Sequence, residues 1–159
     1  MEFLKKKARI MLTIGLLFFA AGCSQEPVEI HYASDECSHC KMMITDNQFA
    51  SQLVTEKGKA LKFDAIECMA AYHQNNENKE ELNSAKLWVS NYEQPGMWLD
   101  ATEASFVRSE VIKSPMGASL LALPSYEAAE NHIQDKPGRV IAWEEVTQIR
   151  MNKGMGMHK

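Results

Sequence analysis

Hydrophobic positions along the chain fall into short clusters whose spacing changes several times, which predicts a mixture of strands and helices. Residues 28–32 alternate apolar and polar as a short strand does. Residues 48–55 and 60–63 read as two more strands around Glu56-Lys57-Gly58-Lys59, a hairpin-turn sequence. The period then becomes helical: Ile66, Met69, Ala70 and, weakly, His73 share one face of a helix over residues 65–73. Asp64 is placed as its N-cap, and Glu67 completes a capping-box pattern. Residues 75–83 are polar and charged throughout and predict a linker.

A second round follows. Residues 86–90 and 105–107 read as strands, with the turn signal Pro95-Gly96 between them. Ser114-Pro115-Met116-Gly117 opens an apolar stretch, residues 118–123, of helical or loop character. Residues 126–134 predict a helix beginning after Ser125, residues 140–143 a closing strand and residues 144–150 a short last helix. The order predicts an α+β fold of two small modules, residues 28–74 and 84–150, joined by the polar linker.

The N-terminus has a different pattern. Lys5, Lys6, Lys7 and Arg9 precede an apolar run, residues 10–21, that is short for a membrane span of about 20 residues. It ends in Phe19-Ala20-Ala21-Gly22-Cys23, small residues before a cysteine, which resembles the lipobox of bacterial lipoproteins. The expectation is a signal peptide over residues 1–22, acylation of Cys23, and a lipidated tether over residues 23–27. Two or more acyl chains hold a protein stably on a membrane, where one is marginal.

Composition sharpens this picture. The chain of 159 residues is 45% hydrophobic and 24% charged, enough to bury a core, and its net charge of −4 carries no basic nucleic-acid footprint. Cleavage before Cys23 removes four basic residues and Glu2, so 13 basic stand against 20 acidic residues in the mature chain. Three thiols remain, Cys37, Cys40 and Cys68, and an odd number cannot all pair within one chain. No phosphate loop, nucleophile elbow or paired-carboxylate motif is present.

The candidate chemistry is that of soft ligands. Cys37-Ser38-His39-Cys40 places two thiols close enough for one metal ion or for each other, and Met42 and Met43 follow at once. Thiolate and thioether together favour Cu(I), whereas Zn(II) takes thiolate and imidazole and rarely thioether. Met69 on a helix face and Met97 beside Trp98 read as packing. Met116, between a proline and a glycine, reads equally as ligand or filler. Cys68 and His39 join Met42 and Met43 as secondary candidates. His31 precedes the CxxC, His132 reads as a surface residue, and Met151, Met155, Met157 and His158 form a soft-ligand tail over residues 151–159 that reads first as a solvated end.

The ordered set Cys37-Ser38-His39-Cys40-Lys41-Met42, Phe63-Asp64-Ala65-Ile66-Glu67-Cys68-Met69 and Ser114-Pro115-Met116-Gly117, closing with residues 138–146, resembles the NosL family. The resemblance implies two homologous ββαβ modules and a membrane-tethered Cu(I) chaperone rather than an enzyme. It implies an extracytoplasmic lipoprotein on the bacterial cell membrane, or on an outer membrane where the cell has one. The implied partners are a copper-assembly ABC transporter, that transporter's extracytoplasmic partner, and apo nitrous oxide reductase as final acceptor. It points to Met116 as a ligand, to which soft-ligand chemistry adds Cys37 and Cys40.

Two other readings fit the same residues. Cys37, Cys40, Cys68 and His73 have spacings that a structural zinc site tolerates. Against this, Cys68 and His73 lie five apart, about 140° around a helix. A thiol–disulfide oxidoreductase would place the CxxC at a helix start, and no long helix is evident after Cys40.

Overall fold

The computed structural model describes residues 24–75 and 79–149. Cys23 and the tail beyond residue 149, with their expected lipidation and soft ligands, lie outside the described residues.

Strands β1 (Ser51–Val54) and β2 (Ala60–Phe63) form the expected hairpin, and helix α1 (Ile66–Asn75) follows. A short helix α2 (Lys79–Asn83) occupies part of the segment read as a linker, and its Leu82 is buried in the core. Strands β3 (Lys86–Ser90) and β4 (Trp98–Asp100) then complete one antiparallel sheet of order β2-β1-β3-β4. The boundary between the two units therefore falls between Asp100 and Ser105, because β1 pairs with β3 across the polar segment. Strands β5 (Ser105–Arg108) and β6 (Leu120–Leu123), helix α3 (Tyr126–Ile133), strand β7 (Arg139–Ile141) and helix α4 (Trp143–Gln148) form the second unit, with sheet order β6-β5-β7. Each sheet is thus a hairpin, a helix and a third strand returning to the free side of the first.

Two expectations fail and one strand goes unpredicted, for identifiable reasons. Residues 28–32 form no strand: the Gln52 side-chain amide takes the pairing, accepting from the Val28 N–H (3.0 Å) and donating to its carbonyl (2.8 Å). Residues 120–123 are a strand, not a helix or loop, and all four are buried. Leu120 and Ala122 enter the core that also holds Leu53, Phe63, Ile66 and Met69, while Leu121 and Leu123 enter a second core against Ala129 of α3. A strand buried on both faces loses its alternation. Strand β4, only three residues of half-buried sequence, gave no pattern to read.

Helix α1 joins the units, packing on α4 and β6 as well as on β1 and β2. Phe106 and Trp143 pack in the same core with ring centroids 5.9 Å apart. Ser125 caps α3, its hydroxyl accepting from the Ala128 N–H at 3.1 Å.

Gly138 leads into β7 at φ 153°, and a Cβ there would lie 2.9 Å from the Ser109 Cβ and 3.0 Å from the Arg108 carbonyl oxygen. Backbone cannot yield to it, so Gly138→Ala is expected to cost about 1–3 kcal/mol. Urea unfolding would show this as a lower midpoint at unchanged slope.

Candidate metal centre

Cys37 and Cys40 sit on a loop closed by its own backbone. The Cys37 N–H donates to the Met42 carbonyl (2.8 Å) and the Lys41 N–H to the Cys37 carbonyl (3.1 Å). Lys41 turns the chain at φ 66°, and Glu36 and Met43 bridge the base. The loop is fastened to β2 by the Ser38 N–H on the Lys62 carbonyl (2.8 Å) and by the Lys62 ammonium on the Asp35 carboxylate (2.6 Å). Lys62, then the His31 amide, holds the Asp35 carboxyl below its usual range.

On the facing side, β2 ends at Phe63, the chain bends through Asp64 and Ala65, and Cys68 lies in the first turn of α1. One ligand atom each from Cys37, Cys40, Asp64 and Cys68 lies within 4.8 Å of all the others. All three thiols are free. Cys37 and Cys68 are fully buried and Cys40 is half-buried, so the group opens toward solvent on the Cys40 side.

The environment favours one thiolate. The Cys68 thiol, followed by the Asp64 and Cys40 backbone N–H groups, lowers the Cys37 thiol to about 7 against the opposing effect of burial. Burial pushes Cys40 up to about 12. Cys68 is raised, first by its hydrogen bond to Cys37 and then by burial. The Cys40 thiol also donates to Asp64 Oδ1 at 3.5 Å, while Asp64 Oδ2 is buried without a partner. A negatively charged, under-satisfied donor set of this kind suits a cation.

Asp64 is the donor that sequence reasoning placed elsewhere. It does not cap α1; the Cys68 and Met69 N–H groups both donate to the Ala65 carbonyl, and the Asp64 carboxylate turns to the thiols. His73 is outside the converging group, as five residues of helix from Cys68 dictate, and Asp64 stands where a fourth zinc ligand was sought. His39 is half-buried between the two loop cysteines without joining them, and burial lowers its imidazole pKa. Met42 and Met43 are exposed at the loop's end, 45% and 50% respectively. Met69 is fully buried core.

Glu67 makes no capping box either. Its Oε1 accepts from the Ser114 hydroxyl (2.7 Å) and the Ala118 N–H (3.2 Å), clasping the Ser114–Gly117 turn to the residue beside Cys68. Burial raises the Glu67 carboxyl, and these two donors oppose the shift. Met116 rides on this turn, half-buried against the same core that includes Cys37 and Cys68. Glu67→Ala would leave the buried Ser114 hydroxyl and the half-buried Ala118 N–H without this acceptor and is expected to cost about 1–3 kcal/mol. Glu67→Gln keeps the acceptor and should unfold closer to the parent in urea; equal losses would deny the clasp.

Comparison with known proteins agrees with this architecture. The NosL family profile matches residues 27–151. The copper-binding lipoprotein NosL of Stutzerimonas stutzeri is 33% identical over 165 aligned positions, covering 94% of this chain and 85% of that protein. The crystal structure of the copper chaperone NosL from Shewanella denitrificans superposes with a TM-score of 0.64 at 19% identity, covering 79% of this chain and 98% of its own. It has the same fold. With the profile spanning nearly all of the described residues and a relative matched almost end to end, the chain belongs to the NosL family.

Proposed function

We propose that this chain is a membrane-anchored Cu(I) carrier that delivers copper for assembly of an extracytoplasmic copper enzyme, with nitrous oxide reductase as the acceptor. The observation that carries the proposal is the convergence of three free cysteine sulfurs on one point. Three thiolates offer a soft, low-coordinate site of the kind Cu(I) prefers over harder divalent ions. The copper-binding and copper-chaperone names of the relatives support the same cargo.

Carrying, as opposed to storing, requires a route for exchange. Cys40 is the ligand nearest solvent, and the turn bearing Met116 is clasped beside Cys68. An acceptor ligand enters on the Cys40 side, binds the ion, and displaces thiols one at a time, while Met116 supplies a weaker thioether to the departing ion. Acyl chains at Cys23 confine the carrier to the membrane surface, where a copper-assembly ABC transporter and its extracytoplasmic partner stand at high effective concentration.

A zinc reading has one observation in its favour: Asp64 supplies a fourth, oxygen donor, which completes a tetrahedral set. Chelator competition on the reduced, anaerobic body starting at Ser24 separates the two. With Cu(I) as cargo, one ion binds per chain and Asp64→Asn leaves its affinity within about tenfold, while Zn(II) affinity falls by more than about 100-fold. A purified chain holding one zinc that Cu(I) does not displace would overturn the carrier.

A further inference from the structure

The segment that links the body to Cys23 is not free. The Gln25 side-chain amide donates to the Ser84 carbonyl (2.8 Å) and the Val54 carbonyl (3.2 Å), and the Trp88 indole N–H donates to the Gln25 carbonyl (2.8 Å). Three residues on, Gln52 holds both backbone groups of Val28, and Ile30 is buried. Residues 25–30 therefore lie as a strap across the outer face of the first sheet. Cys23 is two residues from Gln25, at most about 7 Å of chain. Any lipid on it enters the bilayer beside the end of the sheet where Val54, Ser84 and the Glu56–Lys59 turn meet.

That end has a composition suited to lipid headgroups. Lys57, Lys59 and Lys86 are exposed, and the Lys86 ammonium lies 5.4 Å from the centre of the Trp88 ring. At this end half-buried Trp88 lines an open groove of about 360 Å³ with Lys86, Asp100 and Glu103, and the groove runs along β3 and β4 to Trp98 at the opposite end of the sheet. Tryptophan favours the membrane–water interface, and lysine reaches phosphate from an apolar stem. Lysines beside two carboxylates match the paired phosphate and amine of phosphatidylethanolamine better than a purely anionic surface.

We infer that the strap fixes the body on the bilayer in one orientation, with the Lys57–Lys59 turn and the Lys86–Trp88 end of the groove against phospholipid headgroups and the cysteine group turned away. The separation follows from register. Val54 pairs with Ala60 at the turn end of the hairpin and Ser51 with Phe63 at the other, three residues or about 10 Å away, and Asp64 lies one residue further. The inference rests on the anchor at Cys23 proposed above, and it goes further by stating which face meets the membrane. It places the opening at Cys40 toward proteins that project from the membrane, not toward lipid.

Lysine acetylation footprinting of the full-length, lipid-processed chain in vesicles of phosphatidylethanolamine and phosphatidylglycerol tests it. The control is the acyl-free body starting at Ser24 added to the same vesicles. Modification of Lys57, Lys59 and Lys86 is expected to slow several-fold in the anchored chain, with Lys41 at the metal end and Lys113 in the second unit unchanged. Gln25→Ala should erase the difference while the chain still sediments with vesicles; Gln52→Leu checks the strap at its second fastening. Intact mass reports acylation at Cys23. An unmodified Cys23 overturns the anchor and the orientation together. A modified Cys23 with equal protection of all lysines, or with none, overturns the orientation alone.

Discussion

Cys68→Ser is expected to lower Cu(I) affinity by more than about 100-fold, the upper range for losing a residue that merely supports a ligand. Cys68 is fully buried, lies in the first turn of α1, and is hydrogen-bonded to Cys37. Serine is close in size and leaves packing almost unchanged, and its hydroxyl can bond the same neighbours, so the loss would report ligation, not unfolding. Far-UV circular dichroism and urea unfolding of the variant check that point. His73→Ala, which alters a residue outside the converging group, should leave the affinity unchanged. If Cys68→Ser binds Cu(I) as tightly as the parent, the three-thiol site is wrong, and the ion sits between the loop and Met116 alone.

The second large effect is on pH. A metal binds thiolates, so every thiol still protonated must release its proton on binding, and affinity falls as pH falls. Near neutrality Cys37 is already part-ionised, at about 7, because Cys68 and two backbone N–H groups hydrogen-bond its thiolate. Cys40, pushed up to about 12 by burial, and Cys68, raised further, remain protonated across the accessible range. Above pH 7 two protons leave per ion, so the apparent Cu(I) constant should rise by about 100-fold per pH unit. Below pH 7 three leave, and the slope steepens toward about 1,000-fold per unit. Competition titrations from pH 6 to 9, corrected for the chelator's own protonation, measure both limbs. A slope of one proton above pH 7 would mean that only one protonated thiol is a ligand.

The fold was legible where burial is one-sided. Helix α1 shows its inner stripe of Ile66, Met69 and Ala70, and α3 announces itself by Ser125. The β1–β2 hairpin is equally visible around Gly58. Strand β6 was not legible, because its two faces enter different cores and no polar position breaks the run. The unit boundary was hidden for a related reason: pairing of β1 with β3 is a contact between distant residues, and a polar segment between them reads as a linker whichever sheet it serves.

The site was legible by residue type more than by arrangement. Three cysteines and a methionine-bearing turn stood out in the sequence, and the thiols do meet. Asp64 and Glu67 were misread together, since an acid at the start of a helix and another three residues on make a capping box by pattern. Here both acids are almost fully buried and serve tertiary partners, Asp64 the thiols and Glu67 the Ser114 turn. Only burial separates those uses.

The three-strand order common to the two units exposes a repeated junction of strand and helix. In each unit a strand ends, two residues bend, and a helix begins, so Asp64 corresponds to Pro124, Glu67 to Glu127 and Cys68 to Ala128. The second copy retains the scaffold with neither donor. It also lacks any counterpart of the Cys37–Cys40 loop, since only Ala101–Ala104 separate β4 from β5. Half of the ligand set belongs to an appended loop that occurs once, and the other half to a junction that occurs twice but is armed once. Among the described residues, then, only the first of the two frames gathers a group of possible metal donors.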